Sequence, residues 1–176
     1  MKIRVLMVTS FVVALLVACQ NPTPEPTSIP LDQIDLAPII FQKGDLPPGF
    51  EPAQVRAMTG SLTDGVPTPV NFYSLSLENN GENGGVVDIL LYDNEDTTIK
   101  AYIAAANNMP GAMTKAEVGD SGTLATSFMF IDAVSLTFRR CNTVVTFQFQ
   151  GTTSKDAALS YAIRIDERIQ ESICNR

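Results

Sequence analysis

An α+β fold is predicted by this sequence: an antiparallel β-sheet with two helices packed on one face. Three observations predict it. Residues 70–77 and 143–150 alternate polar and apolar with the period of two that sends successive strand side chains to opposite faces. Two other stretches, opening near Asp93 and Thr153, space their apolar residues at three and four and begin with side chains able to cap a helix. The order is strands, helix, a three-stranded meander and a C-terminal helix, which suits an antiparallel sheet with separate helices rather than alternating βαβ units.

Residues 32–50 are mixed, and Asp45-Leu46-Pro47-Pro48-Gly49-Phe50 predicts a rigid turn that delivers Leu46 and Phe50 to the core. A short strand is expected at 54–58, then a loop at 59–69 rich in Gly, Pro, Thr and Asp. In the strand at 70–77, Phe72 and Ser74 share one face, and Tyr73, Leu75 and Leu77 the other. The strand at 86–92 is apolar almost throughout, and the polar residues 78–85 before it are expected as a hairpin loop.

Asp93-Asn94-Glu95-Asp96 supplies N-cap chemistry and first-turn acids for a helix whose stripe is Ile99, Tyr102, Ile103, Ala106 and Met109, ended by Pro110-Gly111. After a turn at Gly119-Asp120-Ser121-Gly122, strands at 123–131, 134–140 and 143–150 form the meander. In the last of these Val145, Phe147 and Phe149 face the core, while Val144, Thr146, Gln148 and Gln150 face away, so one face of the sheet is wet. Thr153 with Asp156 begins the final helix, in which Ala158, Ala162, Ile165, Ile169 and Ile173 form the apolar stripe and Cys174 stands at the end.

The 176 residues divide into three parts. Lys2 and Arg4 precede an apolar run at 5–18 broken only by Thr9 and Ser10, which is the pattern of a signal peptide over residues 1–18. As a helix that run spans about 21 Å, short of the roughly 30 Å hydrocarbon core. Residues 19–31 place Pro22, Pro24, Pro26 and Pro30 among polar neighbours and predict an extended tether, at about 3.1 Å per residue. Residues 32–176 are long enough for one globular domain with a core of its own.

The leader ends Leu16-Val17-Ala18-Cys19, which resembles the lipobox of bacterial lipoproteins. The resemblance implies a diacylglyceryl thioether on Cys19, cleavage before it and acylation of the new amino group by a fatty acid such as palmitate. Two or more acyl chains give durable membrane attachment where one does not. The implied location is the cell membrane, on its extracytoplasmic face; Gln20, in place of an inner-membrane retention aspartate, also permits an outer membrane where the organism has one.

Composition narrows the chemistry. The chain carries −7, and about −9 without its leader, which argues against nucleic acid and against docking on anionic lipid. It has no histidine, which removes Ser-His-Asp and Cys-His catalysis and His-liganded zinc sites. With Cys19 consumed by lipid, Cys141 and Cys174 remain as an even pair in an oxidising compartment, and a disulfide between them is expected, the alternative being two separate buried thiols. Asp93, Glu95 and Asp96 could supply oxygens to calcium, but their spacing matches no EF-hand loop and helix capping explains them sufficiently, so no metal and no cofactor is expected. Ser121 lies outside any Gly-x-Ser-x-Gly elbow, and the chain has no tryptophan for stacking sugars.

Arg139 and Arg140 are adjacent cations in an acidic chain, and neighbouring strand residues point to opposite faces. One is expected to be solvated and the other to meet an anion or a partner. Asp45 to Phe50, Val118-Gly119-Asp120, Leu136-Thr137-Phe138-Arg139-Arg140 and Val144-Val145, followed by the closing helix, are similar to small uncharacterised extracytoplasmic domains carried by bacterial lipoproteins. That resemblance implies a fold and no reaction. It also implies glycine, a hairpin residue, after the double arginine, where this chain has Cys141.

The leading functional expectation is therefore a non-enzymatic lipoprotein domain that binds an envelope protein or a small ligand. A second is a carrier of a small apolar ligand or lipid in a cavity lined by Phe128, Phe130, Phe138, Phe147 and Phe149. A histidine-free hydrolase using carboxylates is the third.

Overall fold

The computed structural model describes residues 29–56, 66–127, 132–151 and 154–175. The leader, Cys19, most of the tether and Phe128, Phe130 and Thr153 lie outside the described residues.

Alternation builds one seven-stranded antiparallel sheet in the order β1-β2-β3-β7-β6-β5-β4. Here β1 (Phe50–Arg56), β2 (Asn71–Asn79) and β3 (Glu82–Leu91) form one meander. A second consists of β4 (Ala112–Lys115), β5 (Ser121–Ser127), β6 (Ala133–Arg140) and β7 (Thr143–Gln150), and β3 pairs with β7 to join the two. A short helix α1 (Ala37–Ile40) precedes the sheet, α2 (Glu95–Asn107) connects the meanders, and α3 (Lys155–Ile169) closes the chain, continuing into a π-helical turn at Gln170–Cys174. The class is α+β, with strands, a helix, a meander and a C-terminal helix in the predicted order, to which α1 and β4 are additions.

The main core lies between α3 and one face of the sheet. All five residues of the predicted stripe, Ala158, Ala162, Ile165, Ile169 and Ile173, are buried. Phe50, Phe147, Phe149 and Tyr161 pack ring against ring with centroids 4.9–5.5 Å apart. The Pro-Pro-Gly turn delivers Phe50 to this cluster and leaves Leu46 partly buried beside it, as predicted. Asp45, the first residue of that turn, is closed by Arg168 of α3 at 2.6 and 2.8 Å, and the buried Tyr161 hydroxyl donates to the Ile40 carbonyl at 2.8 Å. The N-terminal hook is thereby fastened to the C-terminal helix.

The two long helices do not share a face. Ile89, Leu91 and Val145 join the cluster under α3, whereas their neighbours Leu90, Tyr92 and Val144 pack with Ala101 of α2 on the opposite side. The expectation of two helices on one face is thus corrected, for a reason visible in β3: a strand apolar on both faces must be covered on both.

Smaller differences have equally local causes. The turn between β2 and β3 is only Asn80 and Gly81, with φ of 53° and 83°, so residues 78–85 are mostly strand rather than loop. Positive φ at both central residues is the geometry that an Asn-Gly hairpin favours. β1 begins at Phe50, immediately after the Pro-Pro-Gly turn, and β4 was not foreseen. In α2 the buried residues are Thr98 and Ala101, while Ile103 is 50% exposed, so the helix presents small side chains to the sheet. Asn94 caps α2 by accepting from the Thr97 amide, and Ser154 caps α3 by accepting from the Ala157 amide.

Candidate functional site

The face of the sheet opposite α3 carries a polar row that crosses every strand. Directly paired residues place Arg56 (β1), Ser74 (β2), Asp88 (β3), Thr146 (β7), Thr137 (β6), Thr123 (β5) and Lys115 (β4) side by side. Directly opposed residues in antiparallel strands share a face, so these seven side chains project together. Two cations stand at the edges, hydroxyls between them, and one carboxylate near the middle.

Helix α2 lies across part of this row. Tyr102 fixes it there through a 2.8 Å hydrogen bond between its hydroxyl and that of Thr123. Beside the helix is a cleft of about 250 Å³, walled by Phe72, Leu90, Val144, Ala101 and Ala105, with Asp88, Thr146 and Asn108 as polar residues. The apolar part of the wall follows from the neighbouring row, in which Phe72, Leu90 and Val144 are paired across β2, β3 and β7.

Asp88 is the perturbed carboxylate in this cleft. Burial pushes its carboxyl above the ordinary aspartate value, against the opposing effects of the Ser74 and Thr146 hydroxyls and the Arg56 charge. Tyr92, which also lines the cleft, is 1% exposed and its hydroxyl has no hydrogen-bond partner among the described residues. Burial pushes that hydroxyl up to about 12. A desolvated carboxylate next to an apolar wall can hold a cation or accept strong hydrogen bonds.

Arg139 and Arg140 do point to opposite faces, and each meets a helix. Arg139 reaches Glu95 in the first turn of α2 at 3.3 Å, and Arg140 holds Asp166 of α3 by two contacts of 2.6 and 2.7 Å. Asp120 joins them, taking Arg140 at 2.9 Å, Arg139 at 3.5 Å and the Cys141 amide at 3.0 Å. Their guanidinium groups are thus engaged by carboxylates of the chain itself, and an outside anion would compete with these. The turn at Gly119–Gly122 serves this network: the Gly119 amide donates to Asp166 at 3.2 Å.

Cys141 and Cys174 stand at disulfide distance, with Cα atoms 5.8 Å apart. The pair ties the β6–β7 turn to the end of the C-terminal helix. Cys141 has φ of 50°, the left-handed geometry in which glycine is favoured, so the glycine implied at this position has a conformational basis. Phe138, Phe147 and Phe149 are buried in the core under α3 and do not line the α2 cleft. Glu95 and Asp96 occupy the first turn of α2, where acids complement the helix dipole. Asp88 was missed in the sequence, although a lone carboxylate inside Val86-Val87-Asp88-Ile89-Leu90-Leu91 was a signal for it.

Compared with family models, with curated proteins and with solved structures, the chain matches none.

Proposed function

We propose that this chain is an extracytoplasmic lipoprotein: Cys19 carries the lipid, residues 19–31 form the tether, and residues 32–176 form a non-enzymatic binding domain. Its recognition surface is the polar face of the sheet beside α2. The observation that carries this reading is the asymmetry of the sheet. One face is filled by α3 and its aromatic cluster, whereas the other holds the seven-residue polar row and the cleft around Asp88. A face needed only for solubility has no use for a half-buried, partly desolvated carboxylate in a central strand, which costs stability unless a partner compensates it. The lipobox, the proline-rich tether and the absence of histidine support the address and the lack of acid–base catalysis at neutral pH.

The test is photocrosslinking of the full-length protein in its own envelope. A benzophenone side chain placed at Ser76 or Gln148, in the row adjoining that of Asp88, is expected to give an adduct, while one at Ile163, on the outer side of α3, gives none. The adduct mass separates a protein partner from a small molecule. Adducts from Ile163 alone would overturn the reading.

A further inference from the structure

We propose that the cleft between α2 and the sheet binds a small organic cation, an ammonium or guanidinium group on an apolar body, with Asp88 as its counter-charge. This rests on the reading of that sheet face as the recognition surface and names its ligand class.

The chain supplies its own comparison. Two other carboxylates are also shielded, Asp45 with 8% and Asp166 with 13% of the side chain exposed, and both are closed by a guanidinium at two points. Arg168 grips Asp45 at 2.6 and 2.8 Å, and Arg140 grips Asp166 at 2.6 and 2.7 Å. Asp88 is treated differently. Ser74 and Thr146 offer hydroxyls, which donate hydrogen bonds without neutralising charge, and Arg56 lies two strands away in the same row, about 10 Å at ordinary strand spacing. It contributes a field but no ion pair among the described residues. Among the described residues, Asp45 and Asp166 are neutralised by arginines while Asp88 is left open at a cleft, so the compensating cation comes from outside.

The surroundings define the rest of the ligand. Phe72, Leu90, Val144 and Ala101 are apolar, so the body beside the cationic head is apolar too. At about 250 Å³ the cleft lies just below the range typical of drug-sized ligands, which sets a small occupant. The buried Tyr92 hydroxyl offers a further polar contact. A formal charge of −7 draws cations toward the protein and repels anions.

The test uses the full-length lipidated protein in phosphatidylcholine nanodiscs, at constant ionic strength, with n-butylammonium, n-butanol and butyrate as probes. Methyl NMR signals of Leu90, Val144 and Ala101 are expected to shift saturably with butylammonium, at least about ten-fold more tightly than with butanol, and not with butyrate. Asp88→Asn lowers the butylammonium affinity to that of butanol, and Ala105→Leu, which fills the cleft while keeping a good helix former, abolishes both. Equal binding of butanol and butylammonium, or an Asp88→Asn protein that binds butylammonium unchanged, overturns the cationic ligand and leaves the recognition face standing. No shift with any probe in a folded protein removes the cleft as a small-ligand site, and photocrosslinking at Ser76 then decides the face separately.

Discussion

Removing the Asp45 carboxylate should unfasten the N-terminal hook from α3, and Asp45→Ala is the direct perturbation. The carboxylate accepts two contacts from Arg168, at 2.6 and 2.8 Å, and the Gln42 amide at 2.7 Å. Arg168 is left with the Ile39 carbonyl at 3.2 Å. Breaking a buried pair by deleting one partner costs about 3–5 kcal/mol, because the other charge stays desolvated. Arg168 is 16% exposed at its side chain and Arg164 is 40% exposed, so both can recover some hydration and the lower limit of about 3 kcal/mol applies. Urea denaturation at pH 7, followed by circular dichroism, measures the loss. The same series run toward acid checks the charge: burial would raise this carboxyl, but the Arg168 hydrogen bonds, the Gln42 amide and the two arginine charges hold it below the ordinary value. Its contribution is therefore present above about pH 4 and lost as pH falls through the lowered folded value. A loss under about 1 kcal/mol, or a cycle with Arg168→Met in which the two effects simply add, would refute the clamp.

Three further predictions follow from other parts of the fold. Reducing the Cys141–Cys174 pair, 33 residues apart, should cost about 4 kcal/mol by loop entropy, read as a lower urea midpoint with dithiothreitol; two thiols that alkylate freely without reductant would contradict the pairing. Gly85→Ala should cost more than about 2 kcal/mol, since a Cβ there would lie 1.8 Å from the Gln148 carbonyl oxygen on β7, and an unchanged thermal midpoint would disprove the tight β3–β7 approach. Asp88→Asn should raise the thermal midpoint at pH 7, because a carboxyl whose folded value is raised opposes folding once ionised; that gain should fade as pH drops below the unfolded value near 4, and a lowered midpoint at pH 7 would count against the burial argument.

How much of this could be read from the sequence depends on the period of each segment. β7 was legible to the residue, since Val145, Phe147 and Phe149 alternate cleanly with Thr146, Gln148 and Gln150. The α3 stripe was legible because five apolar residues recur at helical spacing. The placement of α2 was not: of the predicted stripe Tyr102 does meet the sheet, bonding Thr123, but Ile103 is exposed and the buried contacts are made by the small side chains of Thr98 and Ala101, which allow close approach. β4 has only four exposed residues at a sheet edge and so shows no burial pattern to read. The candidate site was half legible. Thr146 was assigned to the wet face from its alternation, but the row around Asp88 depends on pairing between distant strands, and register across seven strands is not written in any local period.

The state of Asp88 is the point on which the account turns, and its ionisation can be followed directly by carbon-detected NMR of the side-chain carboxyl during a pH titration. Burial, opposed by Ser74, Thr146 and Arg56, is expected to hold it above the ordinary aspartate value, and n-butylammonium is expected to bring it down as the cation pairs with the carboxylate. A carboxyl that titrates at or below the ordinary value and ignores the amine would contradict both the desolvated cleft and the cation assigned to it.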